Sequence, residues 1–295
     1  MKIRALVTFW KRPEVARIFV ERFKRSKPDY ADLDMTAVIS PDDPYFNVLK
    51  NMLKDFDVLV YKNLPLGEKR NAGLSFSMQF KWDYILDLGS DNFFTSLLWD
   101  NYREHLGADF LGLMNIYILD IMNNEAVFIR NYGNGKVPAS DDMSFGAGRM
   151  YSRNICEDLV YLWNNKWDRG LDGSAHERIT KKYKETRIDT NEAPVMLDIK
   201  TNTNIHHFSL LKHRGVKCEP IEIKNMFNIA GVELINPKLF DFISFDGFRN
   251  EVCRRSNDMS IRDAFNMLNA EYAVTFGKPR YKNYNSYKTQ LTKNI

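Results

Sequence analysis

The stretch Tyr84-Ile85-Leu86-Asp87-Leu88-Gly89-Ser90-Asp91-Asn92 decides how this chain folds. A short apolar run closes on four turn-forming residues, which predicts a buried strand over 84–88 and a turn over 89–92. Asp91 then stands just past the strand end, where its carboxylate faces whatever lies beyond the sheet. Asp87 lies on the same side of a regular strand as Asp91, because side chains alternate with period two.

Toward the N-terminus the same unit recurs. Residues 3–9 read as a strand. Residues 14–24 read as a helix, with Val15, Ile18, Phe19 and Phe23 at helical spacing and Pro13 at its start. A second strand over 35–39 ends in Ser40-Pro41-Asp42-Asp43-Pro44. A helix over 45–53, a third strand over 56–61 and a helix over 67–80 follow, and after the fourth strand a helix over 97–106. This alternation predicts an α/β fold, a Rossmann-like, mainly parallel sheet flanked by helices. Such sheets bind ligands at the C-terminal ends of their strands. Three polar loops are expected there: 8–12, 40–43 and 89–92.

Toward the C-terminus the pattern loosens. Residues 110–121 and 126–130 suit strands paired around Asn123-Asn124. Residues 132–142, rich in Gly, Asn, Pro and Asp, suit a lid-like loop. Helices are expected over 154–163 and 174–184, a strand over 195–199, and a mostly helical region after Pro220. These elements suggest a catalytic domain over 1–215 and a helical extension over 216–295. The extension ends in a basic tail whose tyrosines, Tyr281, Tyr284 and Tyr287, recur at helical spacing. Basic charge with stacking rings suits nucleic acid or an anionic membrane surface, and a frayed, solvated terminus is the competing reading.

Bulk properties narrow the class. With 44% hydrophobic and 27% charged residues the chain is of ordinary globular composition. Lys and Arg number 42 against 38 Asp and Glu, a net +4 too small to imply a polyanion partner by itself. Cys156, Cys218 and Cys253 show no metal-ligand spacing, and free thiols in the cytoplasm are expected. The first apolar run, ended by Lys11 and Arg12, is too short for a signal peptide, and no stretch approaches a membrane span. The loop after the first strand, Phe9-Trp10-Lys11-Arg12-Pro13, contains no glycine. That argues against a dinucleotide oxidoreductase and against a nucleotidyltransferase, whose phosphate loops need glycine there.

Four features in order resemble the type-A-fold glycosyltransferases, in the style of their family-two group. They are the first strand and its loop through Glu14, the acidic Asp42-Asp43 after the second strand, Gly67-Glu68-Lys69-Arg70-Asn71-Ala72-Gly73 opening a helix, and Gly89-Ser90-Asp91 closing the fourth strand. The last is a degenerate Asp-x-Asp motif that keeps only its final carboxylate. The resemblance implies a metal-dependent transfer from a nucleoside-diphosphate sugar, with a UDP-sugar favoured, to a hydroxyl acceptor, with inversion. The acceptor would be a glycan, a lipid or a modified base in DNA. The alternatives are a non-catalytic glycan- or nucleic-acid-binding protein and, despite its glycine-free loop, a nucleotidyltransferase of similar fold.

The resemblance also assigns residues. Asp91 would hold Mn²⁺ or Mg²⁺ together with a late histidine, His206 or His207, with His213 as an alternative. Thr8, Arg12, Asp42 and Asp43 would take base and ribose. Lys69, Arg70, Asn71 and Ser90 would meet the nucleotide sugar, since a helix start already favours phosphate. Gly148 and Arg149 would face the donor. Asp172 would be the base that deprotonates the acceptor. It also suits the N-cap of a helix, and Glu177 and Asp168 are fallbacks.

Overall fold

A computed structural model describes residues 1–130, 143–201, 204, 208–229, 248–249, 252–253, 256, 259–276 and 280–293. The chain forms two compact units, Met1–Val232 and Glu233–Ile295.

In the first unit, β1 (Lys2–Thr8), α1 (Pro13–Arg25), β2 (Asp32–Ile39), α2 (Phe46–Met52), β3 (Asp57–Val60), α3 (Leu66–Ser77) and β4 (Tyr84–Gly89) follow the expected alternation. The strands pair in parallel in the order β3-β2-β1-β4. On α1 the stripe Val15, Ile18, Phe19 and Phe23 is buried, and Phe19 packs edge-on to Phe9 at the end of the first strand. The order reverses between β1 and β4, and such a reversal opens a crevice at the strand ends.

The chain continues through β5 (Asn92–Phe94), α4 (Leu97–Arg103), β6 (Phe110–Leu113), β7 (Ile116–Asp120), β8 (Glu125–Ile129), β9 (Met150–Ser152), α5 (Arg153–Leu159), α6 (Leu171–Thr180), β10 (Glu185–Ile188), β11 (Met196–Lys200), β12 (Val216–Cys218) and α7 (Pro220–Met226). Two sheets result. The first adds β9, β6 and β10 beyond β4 to make seven strands, with β9 antiparallel to both neighbours. The second has five strands in the order β12-β8-β7-β11-β5.

The run over 110–121, expected as one strand, is divided between the sheets. The break falls at Asn115, whose buried side chain donates to Asp189 Oδ1 at 2.5 Å and to the Asn191 carbonyl at 3.0 Å. A buried amide must be hydrogen-bonded, and these bonds take the chain out of one sheet and into the next. The hairpin around Asn123-Asn124 forms as expected, with Asn124 in the left-handed region. The domain boundary drawn at 215 falls inside the first unit instead. There β12 completes the second sheet against β8, and α7 packs on the same sheet.

The second unit buries Phe248, Val252, Ala264, Phe265, Leu268, Tyr281 and Tyr287 around its helices Ile261–Phe276 and Tyr284–Lys293. The rings of Phe265 and Tyr287 lie 5.2 Å apart, and those of Phe248 and Tyr281 5.3 Å. Of the tyrosines expected to offer a stacking surface, Tyr281 and Tyr287 are therefore core residues and Tyr284 packs half-buried against them, because burying aromatic area is worth more than displaying it.

Candidate functional site at the strand ends

The chain leaves β1 through Phe9–Arg12, with Lys11 and Arg12 both in the left-handed region at φ 56° and 53°. A non-glycine residue there is strained, so the turn must be held from outside. Asp43 Oδ2 accepts from the Lys11 backbone N–H at 2.6 Å, and Lys69 Nζ donates to the Phe9 carbonyl at 2.9 Å. Asp43 and Lys69, expected to bind nucleotide, are buried and serve this turn. Burial pushes the Lys69 ammonium down to about 8, opposed by the charges of Asp43 and Asp42. Asp42 itself is exposed, Thr8 is half-buried opposite Gly89, and Ser90 is buried.

The turn delivers Arg12 to Asp91, with Nη1 2.7 Å from Oδ2 and both side chains 13% exposed. Asn204 Nδ2 donates to the same oxygen at 2.6 Å. On the far side Asp91 leads into β5, which pairs with β11 so that Asn92 opposes Asp198. Alternation along β11 puts Asp198 and Lys200 on one face, and Lys200 Nζ lies 2.5 Å from Asp198 Oδ2. Burial alone would raise the Asp91 carboxyl, but the Arg12 guanidinium and the Lys200 ammonium outweigh it and hold the group below its ordinary value. Asp198 is pushed up to about 6, first by burial, with Lys200 opposing and the Asp91 charge adding.

At the first position of the degenerate motif, a Cβ on Gly89 would sit 2.4 Å from Asp91 Oδ1, so a side chain there would require the Asp91 carboxylate to shift. For a hard divalent cation the donor set is Asp91, and Asp198 next to it, whose Oδ1 is buried with no hydrogen-bond partner. Carboxylate oxygens of this kind fit Mg²⁺ or Mn²⁺. Among the described residues no group of three or more metal-ligating side chains converges. His206 and His207 lie outside the described residues, and His213 is exposed on the 3-10 turn Lys212–Arg214.

Behind this corner a second charged cluster is built into the fold. Arg70 Nη1 meets Asp87 Oδ2 at 2.8 Å. Asp87 is 3% exposed, and its carboxyl is pushed up to about 6 by burial, with Arg70 opposing and Asp172 adding. Burial disfavours the charged Arg70 guanidinium, but the charges of Asp87, Asp172 and Asp91 outweigh it and raise the group above its ordinary value. Arg149 is fully buried and cannot meet a phosphate as expected. It donates to Ser144 Oγ at 3.0 Å, the Ser144 carbonyl at 2.7 Å and the Asp172 carbonyl at 2.7 Å. Asn71 is likewise spent. It donates to the Trp163 carbonyl and Asn165 Oδ1 and accepts from the backbone of Leu162 and Trp163, which uses its full capacity. Gly148, at φ 81°, makes the turn that brings Arg149 inward.

Asp172 lies in the first turn of α6, whose N-cap is Gly170 in the left-handed region, so its carboxylate is not a cap. That carboxylate rests against Gly146, where a Cβ would come within 2.1 Å of it. Of the fallbacks, Asp168 accepts from the Leu66 N–H at the start of α3, and Glu177 is exposed beside Lys181.

Asp198, Lys200 and Asn204 were not singled out from the sequence. Two charged residues at alternate positions in an otherwise apolar strand are the signal that points to them.

No protein-family model and no curated protein sequence matches the chain. Solved structures are similar to it. TarS 1–349 of S. aureus in complex with UDP-GlcNAc is 12% identical, with 92% of this chain and 81% of that one covered at a TM-score of 0.44. The mannosyltransferase PcManGT from Pyrobaculum calidifontis in complex with GDP-Man and Mn²⁺ is 12% identical, with 98% and 83% covered at 0.48. The inositol-1-phosphate CTP transferase from T. maritima is 12% identical, with 75% and 96% covered at 0.45. The likeness is one of fold, and it spans glycosyltransferases and nucleotidyltransferases alike.

Proposed function

We infer that the chain is a glycosyltransferase that moves a sugar from a nucleoside diphosphate, UDP above others, to a hydroxyl acceptor. The observation that carries this reading is Asp91, a carboxylate paired with Arg12 and held below its ordinary value by the charges of Arg12 and Lys200, just past the end of β4 where the strand order reverses. The glycine-free loop after β1 favours sugar transfer over nucleotidyl transfer.

The donor site belongs to the unit Met1–Val232. Asp91 would hold Mn²⁺ or Mg²⁺, with His206 or His207 as a further ligand. When bound, such an ion acts as a Lewis acid on the diphosphate. Arg12 sits beside Asp91 to add positive charge, and Thr8 and Asp42 lie at the strand ends that would take ribose and base. Asp172, seated on Gly146, removes the acceptor hydroxyl proton. The acceptor oxygen bonds to the anomeric carbon from the face opposite the breaking bond to phosphate, and the configuration inverts. The acceptor is a hydroxyl of a glycan, a lipid or a modified DNA base. Three free cysteines suit a reducing cytoplasm.

The test is a thermal-shift series with UDP-, GDP-, CMP- and dTDP-sugars in Mn²⁺ and in EDTA. A ligand that binds only the folded chain raises its melting temperature by mass action. A shift with one nucleotide class, lost in Asp91→Ala, is the expected result. No shift with any donor overturns the reading in favour of a non-catalytic binding protein.

A further inference from the structure

The reading above requires cations for a diphosphate, and the three that the sequence offers are already engaged. Lys69 holds the Phe9 carbonyl, Arg70 holds Asp87, and Arg149 is enclosed by Ser144 and Asp172. Lys200 differs from them. Its side chain is 8% exposed, and its ammonium makes one hydrogen bond among the described residues, to Asp198 Oδ2. An ammonium has three donors, and a buried one with two left over is costly unless something accepts them.

Its placement says what would. Lys200 ends β11, the strand beside β5, and its neighbour Ile199 donates its backbone N–H to the Asp91 carbonyl at 2.9 Å, so its charge acts on Asp91. Arg12 reaches Asp91 from the loop after β1, in the other sheet, and Lys200 comes to it from the end of β11. The signs are balanced, two cations against Asp91 and Asp198. A diphosphate entering at Asp91 would find both an ammonium with spare donors and a guanidinium near it.

We propose that Lys200 is a phosphate-binding residue of this site, contributing its two unused N–H groups to the diphosphate of the donor while Asp198 holds the ammonium in place. This rests on the reading of the site as one for a nucleoside diphosphate. A purely structural role makes a different prediction. If Lys200 only neutralises Asp198, removing both charges together restores a balanced site, whereas removing Lys200 alone strands a buried carboxylate.

The experiment compares wild type, Lys200→Met, Lys200→Arg and the double variant Asp198→Asn/Lys200→Met. Calorimetry with UDP, uridine and inorganic pyrophosphate is read beside each variant's melting temperature. Charge-assisted hydrogen bonds of this kind are worth about tenfold or more in affinity. Lys200→Met is expected to lose that factor for UDP and pyrophosphate and to keep its affinity for uridine. Lys200→Arg is expected to recover part of it, and the double variant is expected to stay as weak as Lys200→Met. Recovery of UDP and pyrophosphate binding in the double variant overturns the proposal, as does unchanged binding in Lys200→Met. If wild type binds no nucleotide, the donor reading fails by itself. Pyrophosphate bound by wild type and lost in both Met variants would still uphold Lys200, and no binding of pyrophosphate would overturn it.

Discussion

Two groups of basic residues in the first unit are put to opposite uses. Lys69, Arg70 and Arg149 lie behind the strand ends, and carbonyls or a buried carboxylate take up their donors. Arg12 and Lys200 stand at the strand ends themselves, each against one carboxylate, and Lys200 has donors to spare. Residue type alone does not separate the groups. What separates them is whether the backbone supplies acceptors nearby, because a cation surrounded by carbonyls becomes part of the scaffold and one left at the ends of strands is open to a ligand.

The difference can be broken by substitution, most sharply at Arg149. Arg149→Met leaves the Ser144 and Asp172 carbonyls without their donor in a fully buried place. It is expected to cost about 3–5 kcal/mol of stability, measured by the urea midpoint. A loss under about 1 kcal/mol would mean that Arg149 is not scaffold. Asp91→Asn is expected to fold while losing about a hundredfold or more in turnover, near 3 kcal/mol of barrier, read by release of nucleoside diphosphate. Normal turnover there would remove the strand-end group from the chemistry.

Glu14 offers a pH test beside Arg12. Its carboxyl is 5% exposed, and burial pushes it up to about 7, opposed by its own backbone N–H and by Arg17. A carboxyl raised on folding contributes stability that is fully present below its ordinary 4.5 and is lost as the pH rises through about 7. At about 1.4 kcal/mol per pH unit this window is worth roughly 3 kcal/mol at most, and less where water reaches the group. Glu14→Gln should therefore raise the melting temperature at pH 8 and flatten its dependence between pH 5 and 7. An unchanged pH profile would show that Glu14 finds a partner. The smallest effect is expected at Asp42, exposed next to the buried Asp43. Asp42→Asn should change stability by less than about 0.5 kcal/mol, so any loss of uridine affinity in that variant reports contact with the ligand.

The first four strands and their helices were legible because each buries a continuous apolar run or stripe, which period and turn residues reveal. β9 and β10 were not. Met150–Ser152 and Glu185–Ile188 are three and four residues long, too short to show a period, and they become strands through their neighbours. Asp91 was legible from its position after β4, whereas Lys200 gained its partners only when β11 paired beside β5. Arg149 and Asn71 were misassigned for the converse reason. Both follow glycine-rich or basic local patterns that resemble ligand loops, and long-range carbonyls, unseen in sequence, claim them.

The step from Gly89 to Asn92 has a mechanical consequence. Within it the chain passes from the seven-stranded sheet to the five-stranded one, so Asp91 sits on the seam between them. Arg12 belongs to one sheet's edge of that seam and Lys200 to the other's. A molecule gripped by both acts as a rivet between two plates, and its hold depends on how those plates are set. Core substitutions far away, at the buried contacts of β7 and β8 for instance, would then be felt as looser gripping at the seam without touching any residue that meets the ligand.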